Sequence, residues 1–98
     1  MNIRSTPEFD SWLLGLRAKE RLQVDNRLDR IKQHSHFGDK KYLGEELFEL
    51  RWRGGWRVYF ALMVDGDGRI ALMLLGGDKN GQRRDIARAR SILERETA

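Results

Sequence analysis

The run Leu47–Phe60, LFELRWRGGWRVYF, constrains the fold more than any other part of the chain. Polar and apolar residues alternate on both sides of Gly54-Gly55, the pattern of two half-buried strands joined by a tight turn. Side chains on a strand point alternately to opposite faces, so Phe48, Leu50 and Trp52 share one face and Glu49, Arg51 and Arg53 the other. On the second strand Trp56, Val58 and Phe60 share a face, and Arg57, Tyr59 and Ala61 take the other. A two-residue Gly54-Gly55 turn would set Trp52 against Arg57 and mix both faces. A three-residue turn, Arg53-Gly54-Gly55, sets Trp52 against Trp56 and Arg51 against Arg57, with glycine at the position that needs a left-handed backbone. This register predicts Trp52, Trp56, Val58 and Phe60 beneath helices, and Glu49, Arg51, Arg57 and Tyr59 on an open face. Two arginines directly opposite each other cost up to about 1 kcal/mol. A bound phosphate would offset that through planar, bidentate guanidinium contacts, and the Tyr59 ring would offer a platform for a base.

The remaining elements follow from caps and periodicity. NIRS reads as a short edge strand. Thr6 and Pro7 then mark a helix start, with Phe9, Trp12, Leu13 and Leu16 at helical spacing and Gly15 at the end. A second helix is predicted over Ala18–His34, its apolar stripe Val24, Leu28 and Ile31 forming an α-hairpin with the first. The segment 34–46 reads as a loop. Strands are expected at Leu47–Arg53, Trp56–Met63 and Arg69–Leu75, the last so apolar (IALMLL) that both of its faces should be covered. DGDG joins the second and third of these as a hairpin turn. A final helix carries Ile86, Ala89 and Leu93. The fold class is therefore α+β: an N-terminal helical hairpin on a small, twisted, mostly antiparallel sheet, a C-terminal helix, and one open sheet face. Ninety-eight residues make a single domain, 1–98.

Function classes narrow in the same way. There is no cysteine, so disulfide frameworks and thiolate nucleophiles are excluded. No apolar run is long enough to span a membrane and no signal peptide is evident, so a cytoplasmic protein is expected. The His34-x-His36 pair lacks a third ligand at sensible spacing, and no metal site is assigned. The net charge of +4 is uneven: residues 1–50 carry nine basic and nine acidic side chains, residues 51–98 ten and six. Basic excess beside aromatics on one sheet face points to a polyanion. After the third strand, LLGGDKNGQRRDI places Lys79 at the mouth of the sheet and Gln82, Arg83 and Arg84 at the start of the last helix. Its glycines match neither the dinucleotide nor the P-loop spacing.

Four stretches, TPEFDSWL, FGD, LFELRWRGGWRVYF and LLGGDKNGQRRDIARA, lie in order along almost the whole chain. In them the sequence resembles the RelE/ParE superfamily of toxins from bacterial toxin–antitoxin pairs, and within it the HigB-like, phage-derived killer proteins. The resemblance implies a twisted antiparallel sheet with N-terminal helices. It also implies metal- and cofactor-independent cleavage of ribosome-bound mRNA, in which the 2′-hydroxyl attacks the neighbouring phosphate and translation stops. Carried over, Arg57 is the principal phosphate ligand, Arg51 and Arg53 contact the RNA or ribosomal backbone, and Lys79 with Arg83 or Arg84 neutralises developing charge. Gln82 and Tyr59 would add RNA contacts, with Glu49 or Tyr59 the candidates to take the 2′-hydroxyl proton. RelE itself has a functional tyrosine in its C-terminal segment, whereas nothing aromatic follows Phe60 here. The implied partner is a helix-turn-helix antitoxin. A ParE-type gyrase inhibitor and an inactive antitoxin-binding relic of the fold are the alternatives.

Overall fold

The structure is a computed structural model and describes residues 1–98. The elements run β1 (Asn2–Ser5), α1 (Pro7–Leu14), α2 (Ala18–His34), β2 (Lys40–Gly44), β3 (Leu47–Arg51), β4 (Trp56–Asp65), β5 (Gly68–Asp78), a 3-10 turn (Lys79–Gly81) and α3 (Gln82–Thr97). One five-stranded sheet has the order β1-β5-β4-β3-β2. β1 lies parallel to β5 and every other pairing is antiparallel, so the sheet is mixed.

The β3–β4 register is the one that sorts the side chains. Leu50 lies opposite Val58 and Arg51 opposite Arg57. The Trp52 amide donates to the Trp56 carbonyl at 3.1 Å and the Gly55 amide to the Trp52 carbonyl at 3.0 Å, closing the three-residue turn. Gly55 has φ +101°, where a side chain would be strained. At the start of α1 the Thr6 hydroxyl accepts from the Phe9 amide at 3.1 Å and itself donates to the Leu74 carbonyl at 2.7 Å. One buried residue thus caps the helix and ties it to β5.

Three expectations need correction. Lys40–Gly44 is not loop but an edge strand paired with β3. The helical hairpin holds only in part: Phe9 of α1 shares one core cluster with Val24, Leu28 and Ile31 of α2, but α1 has its main contacts with β5 and α2 with β1. Above all, neither face of the sheet is open. Phe9, Val24, Leu28 and Ile31 cover one face, over Leu50, Val58, Phe60, Ala71 and Met73. α3 covers the other, with Ala89, Ile92 and Leu93 over Leu47, Tyr59, Ala61, Leu72 and Leu74. β5 could not be otherwise, since its run from Ile70 to Leu75 is buried throughout.

The GGDK segment is spent on close packing. A Cβ at Gly76 would sit 2.1 Å from two carbons of the Trp12 indole, so the ring lies directly on the strand. Trp12 in turn packs edge-on to Trp56, with centroids 6.2 Å apart. The Asp78 carboxylate accepts from the Asn80 and Gly81 amides at 2.9 and 3.2 Å, capping the 3-10 turn that leads into α3.

Candidate functional site

The β3–β4 turn and the β5–α3 junction, more than twenty residues apart in the chain, meet at one end of the sheet. β4 and β5 pair to their limit, with Arg57 opposite Gly77 and Trp56 opposite Asp78. The Lys79 amide then donates to the Gly55 carbonyl at 2.9 Å, and its methylenes lie against Gly55. Arg53 on the turn, Lys79 beside it and Arg83 opening α3 are exposed and make no ion pair. Arg84 is also exposed, its Nε 3.8 Å from Asp85. This end is a raised cationic edge: none of the four surface clefts is lined by these side chains. Such a shape suits a polymer backbone better than an enclosed small molecule.

Beneath the edge lies a charged pair that α3 buries. Glu49 is wholly inaccessible, with Oε1 3.4 Å from Arg57 Nε and 2.6 Å from the Gln82 amide nitrogen that donates to it. The Arg57 contact is charge against charge and not an aligned hydrogen bond. Arg57 keeps 16 % of its side chain exposed and donates through Nη1 to the Trp56 carbonyl at 3.1 Å. Tyr59, directly across from Glu49 on β4, is also wholly buried and its hydroxyl has no partner. Burial pushes its phenol well above the ordinary tyrosine range, and the negative charges of Glu49 and Asp85 push the same way against Arg57.

Several sequence expectations change here. Tyr59 is no platform for a base, because α3 lies over it. Glu49 faces protein and not solvent, under Arg57 and Gln82. Gln82 spends one of its two amide N–H donors on Glu49, so it holds the buried carboxylate rather than serving RNA alone. Arg51 and Arg57 are opposite each other as expected, yet they form no free clamp: Arg51 reaches Asp39 at 3.3 Å and Arg57 reaches Glu49. The sequence reading also missed Arg27. It donates through Nε to the Phe37 carbonyl at 2.9 Å, through Nη2 to the Asp39 carbonyl at 2.6 Å and through Nη1 to the Arg51 carbonyl, and lies 4.4 Å over the Trp52 ring. The signal was its place on α2 beside the apolar stripe, one residue before Leu28. His34 and His36 are exposed, and no cluster of three potential metal ligands exists. No helix is long and apolar enough to cross a membrane.

No family model matches the chain. An uncharacterized protein of Haemophilus influenzae is 34 % identical over 97 residues, covering 96 % of this chain and 94 % of the relative. Among solved structures, the RelE–RelB toxin–antitoxin complex of Escherichia coli is similar with a TM-score of 0.64 and 14 % identity, over 79 % of this chain and 94 % of that one. The isolated E. coli RelE toxin is similar at 0.63 and 14 %, over 79 % and 82 %. The RelB–RelE complex of Methanococcus jannaschii gives 0.62 and 13 %, over 83 % and 95 %. The chain therefore belongs to one family with the H. influenzae protein, and its fold is that of the RelE toxins.

Proposed function

We propose that this chain is the toxin of a toxin–antitoxin module and acts as a metal-independent endoribonuclease on mRNA held in the ribosome. The observation that carries this reading is the hydrogen bond from the Lys79 amide to the Gly55 carbonyl, which holds Lys79 against the turn that bears Arg53; these two cations and Arg83 at the start of α3 are exposed and unpaired, with Arg57 close by on β4. Exposed cations without carboxylate partners are what a phosphodiester backbone neutralises. In the proposed reaction the 2′-hydroxyl gives its proton to water as its oxygen attacks the adjacent phosphorus, and the 5′-oxygen leaves and takes a proton from water, giving a 2′,3′-cyclic phosphate and a 5′-hydroxyl end. Lys79 and Arg57 stabilise the charge that builds on the phosphoryl oxygens. The burial of Glu49 and Tyr59 argues against either as the group that takes the 2′-hydroxyl proton, so catalysis rests on charge stabilisation and on the ribosome's orientation of its substrate. The toxin–antitoxin complexes among the structural neighbours support a protein antitoxin as partner. We assign it the helix-turn-helix type and the cationic edge as the surface it covers.

Induction of the chain in cells, followed by primer extension on cellular mRNA, tests this. New 5′ ends phased with codons are expected, and Lys79→Ala combined with Arg53→Ala, both exposed positions, should remove them while leaving the fold intact. Intact mRNA together with inhibited DNA supercoiling would overturn it in favour of gyrase poisoning. Unimpeded growth would point to an inactive relic.

A further inference from the structure

A second polar surface lies on the opposite side of the β3–β4 turn. Gln23, Asn26, Arg27 and Arg30 of α2 are spaced i, i+3, i+4 and i+7, so they share one helical face, and with Trp52 they line a shallow cleft. Not one carboxylate lines it, although α2 carries Glu20, Asp25 and Asp29. Gln23, Asn26 and Arg30 are exposed, and none of them spends its side chain on a hydrogen bond or ion pair within the protein. The cleft's floor is rigid: three main-chain carbonyls hold the Arg27 guanidinium, which stacks on the half-buried Trp52 ring at 4.4 Å.

These groups match one ligand chemistry. A planar cation stacked on an indole favours a flat aromatic ring, and carboxamides carry the donor and acceptor pairs that match a base edge. Arg30 adds a free cation at the rim for a phosphate. Trp52 immediately precedes Arg53 in the chain, so the cleft adjoins the β3–β4 turn that carries Arg53. We infer that this cleft is a nucleobase subsite, taking one unpaired base of the RNA whose backbone crosses Arg53 and Lys79. The inference rests on the RNA-binding reading above and adds to it a place where base identity is sensed, by Gln23 and Asn26.

The test uses the full chain with hexaadenylate, hexauridylate and hexacytidylate as probes, and inorganic phosphate as control. In 15N spectra, the side-chain amide signals of Gln23 and Asn26 and the Trp52 indole N–H should shift with the oligonucleotides and not with phosphate. Trp52→Leu removes the ring on which the Arg27 guanidinium is stacked and should weaken oligonucleotide binding at least about 5-fold, the low end of one stacking contact. The Gln23→Ala/Asn26→Ala double variant, altered only at exposed positions, should bind the three oligonucleotides with equalised affinities. Shifts confined to Arg53, Lys79 and their neighbours would overturn the subsite and leave RNA binding standing. Shifts at the cleft reproduced by phosphate alone would reduce it to an anion contact and overturn it. No binding of any oligonucleotide would remove both the subsite and the reading on which it rests.

Discussion

Replacing Arg57 with alanine is the obvious way to disable the proposed site, and the structure predicts that it disables the fold first. Glu49 has no accessible surface, and its ligands are the Arg57 guanidinium at 3.4 Å and the Gln82 amide at 2.6 Å. Removing the arginine strips the buried carboxyl of its counter-charge and leaves it one neutral donor. Breaking a buried pair from one side costs about 3–5 kcal/mol, against a total stability of about 5–15 kcal/mol for a domain. For a chain of this size each kcal/mol lowers Tm by about 4–8 °C, so Arg57→Ala should melt at least about 12 °C below the parent. Urea unfolding and a thermal melt followed by circular dichroism measure the loss. The partner variant, Glu49→Gln with Arg57→Ala, removes the orphaned charge and keeps the shape, so it should recover most of the deficit. If Arg57→Ala loses less than about 1 kcal/mol, or the double variant is no more stable than the single, the buried-pair argument is wrong. The double variant is also the one in which a loss of RNA cleavage can be assigned to Arg57 itself.

Four further outcomes follow from the same packing and charges. Gly76→Ala puts a methyl 2.1 Å from the Trp12 ring and should cost about 1–3 kcal/mol in a chemical denaturation series, whereas Gly66→Ala, with nothing within 4 Å, should be neutral or slightly stabilising. Glu8, paired with Arg95 through a bidentate contact that includes a 2.9 Å bond, has its carboxyl lowered to about 2. Because the folded value is the depressed one, its contribution is present above about pH 4.5 and disappears as pH falls toward 2; Arg95→Ala should flatten that part of the acid-unfolding curve. Tyr59 has the opposite sign: its raised pKa favours the fold fully below about pH 10, the unfolded value, and that contribution fades at higher pH, so its tyrosinate absorbance should emerge only as the chain unfolds in base. RNA affinity should fall with salt at a log–log slope of about −0.7 per phosphate neutralised, and Lys79→Ala should reduce the slope by about that amount.

The hairpin was legible because three independent signals agree there: period-two alternation, a glycine pair, and the segregation of charge that only one turn length allows. Thr6 was legible for a similar reason, since a cap, a proline and an apolar repeat coincide. β2 was not, because KKYLG is short and its outward lysines suit an edge strand as well as a loop. The covered second face was readable in principle. IALMLL demands apolar neighbours on both sides, and Leu47 and Ala61 fall on the same face as Glu49 and Tyr59. The polar character of those last two outweighed that signal.

That reversal changes what the acidic and aromatic members of the site are for. A sequence places Glu49, Arg57 and Tyr59 on one strand face but not the distance of a later helix from it, and that distance converts surface groups into interior ones. Once α3 closes over them, Glu49 can act on a ligand only through Arg57, by fixing where the guanidinium lies, at the expense of part of its charge. Arg53, Lys79 and Arg83 owe nothing to a carboxylate, so the balance of phosphate affinity shifts to them. The two sets therefore separate experimentally. Neutralising an edge residue should weaken RNA binding in proportion to the charge removed and leave Tm within about 4 °C, since surface substitutions rarely exceed about 0.5 kcal/mol. Substituting Gln82 with alanine should instead lower Tm through the lost bond to Glu49, and it should change cleavage only by letting Arg57 move.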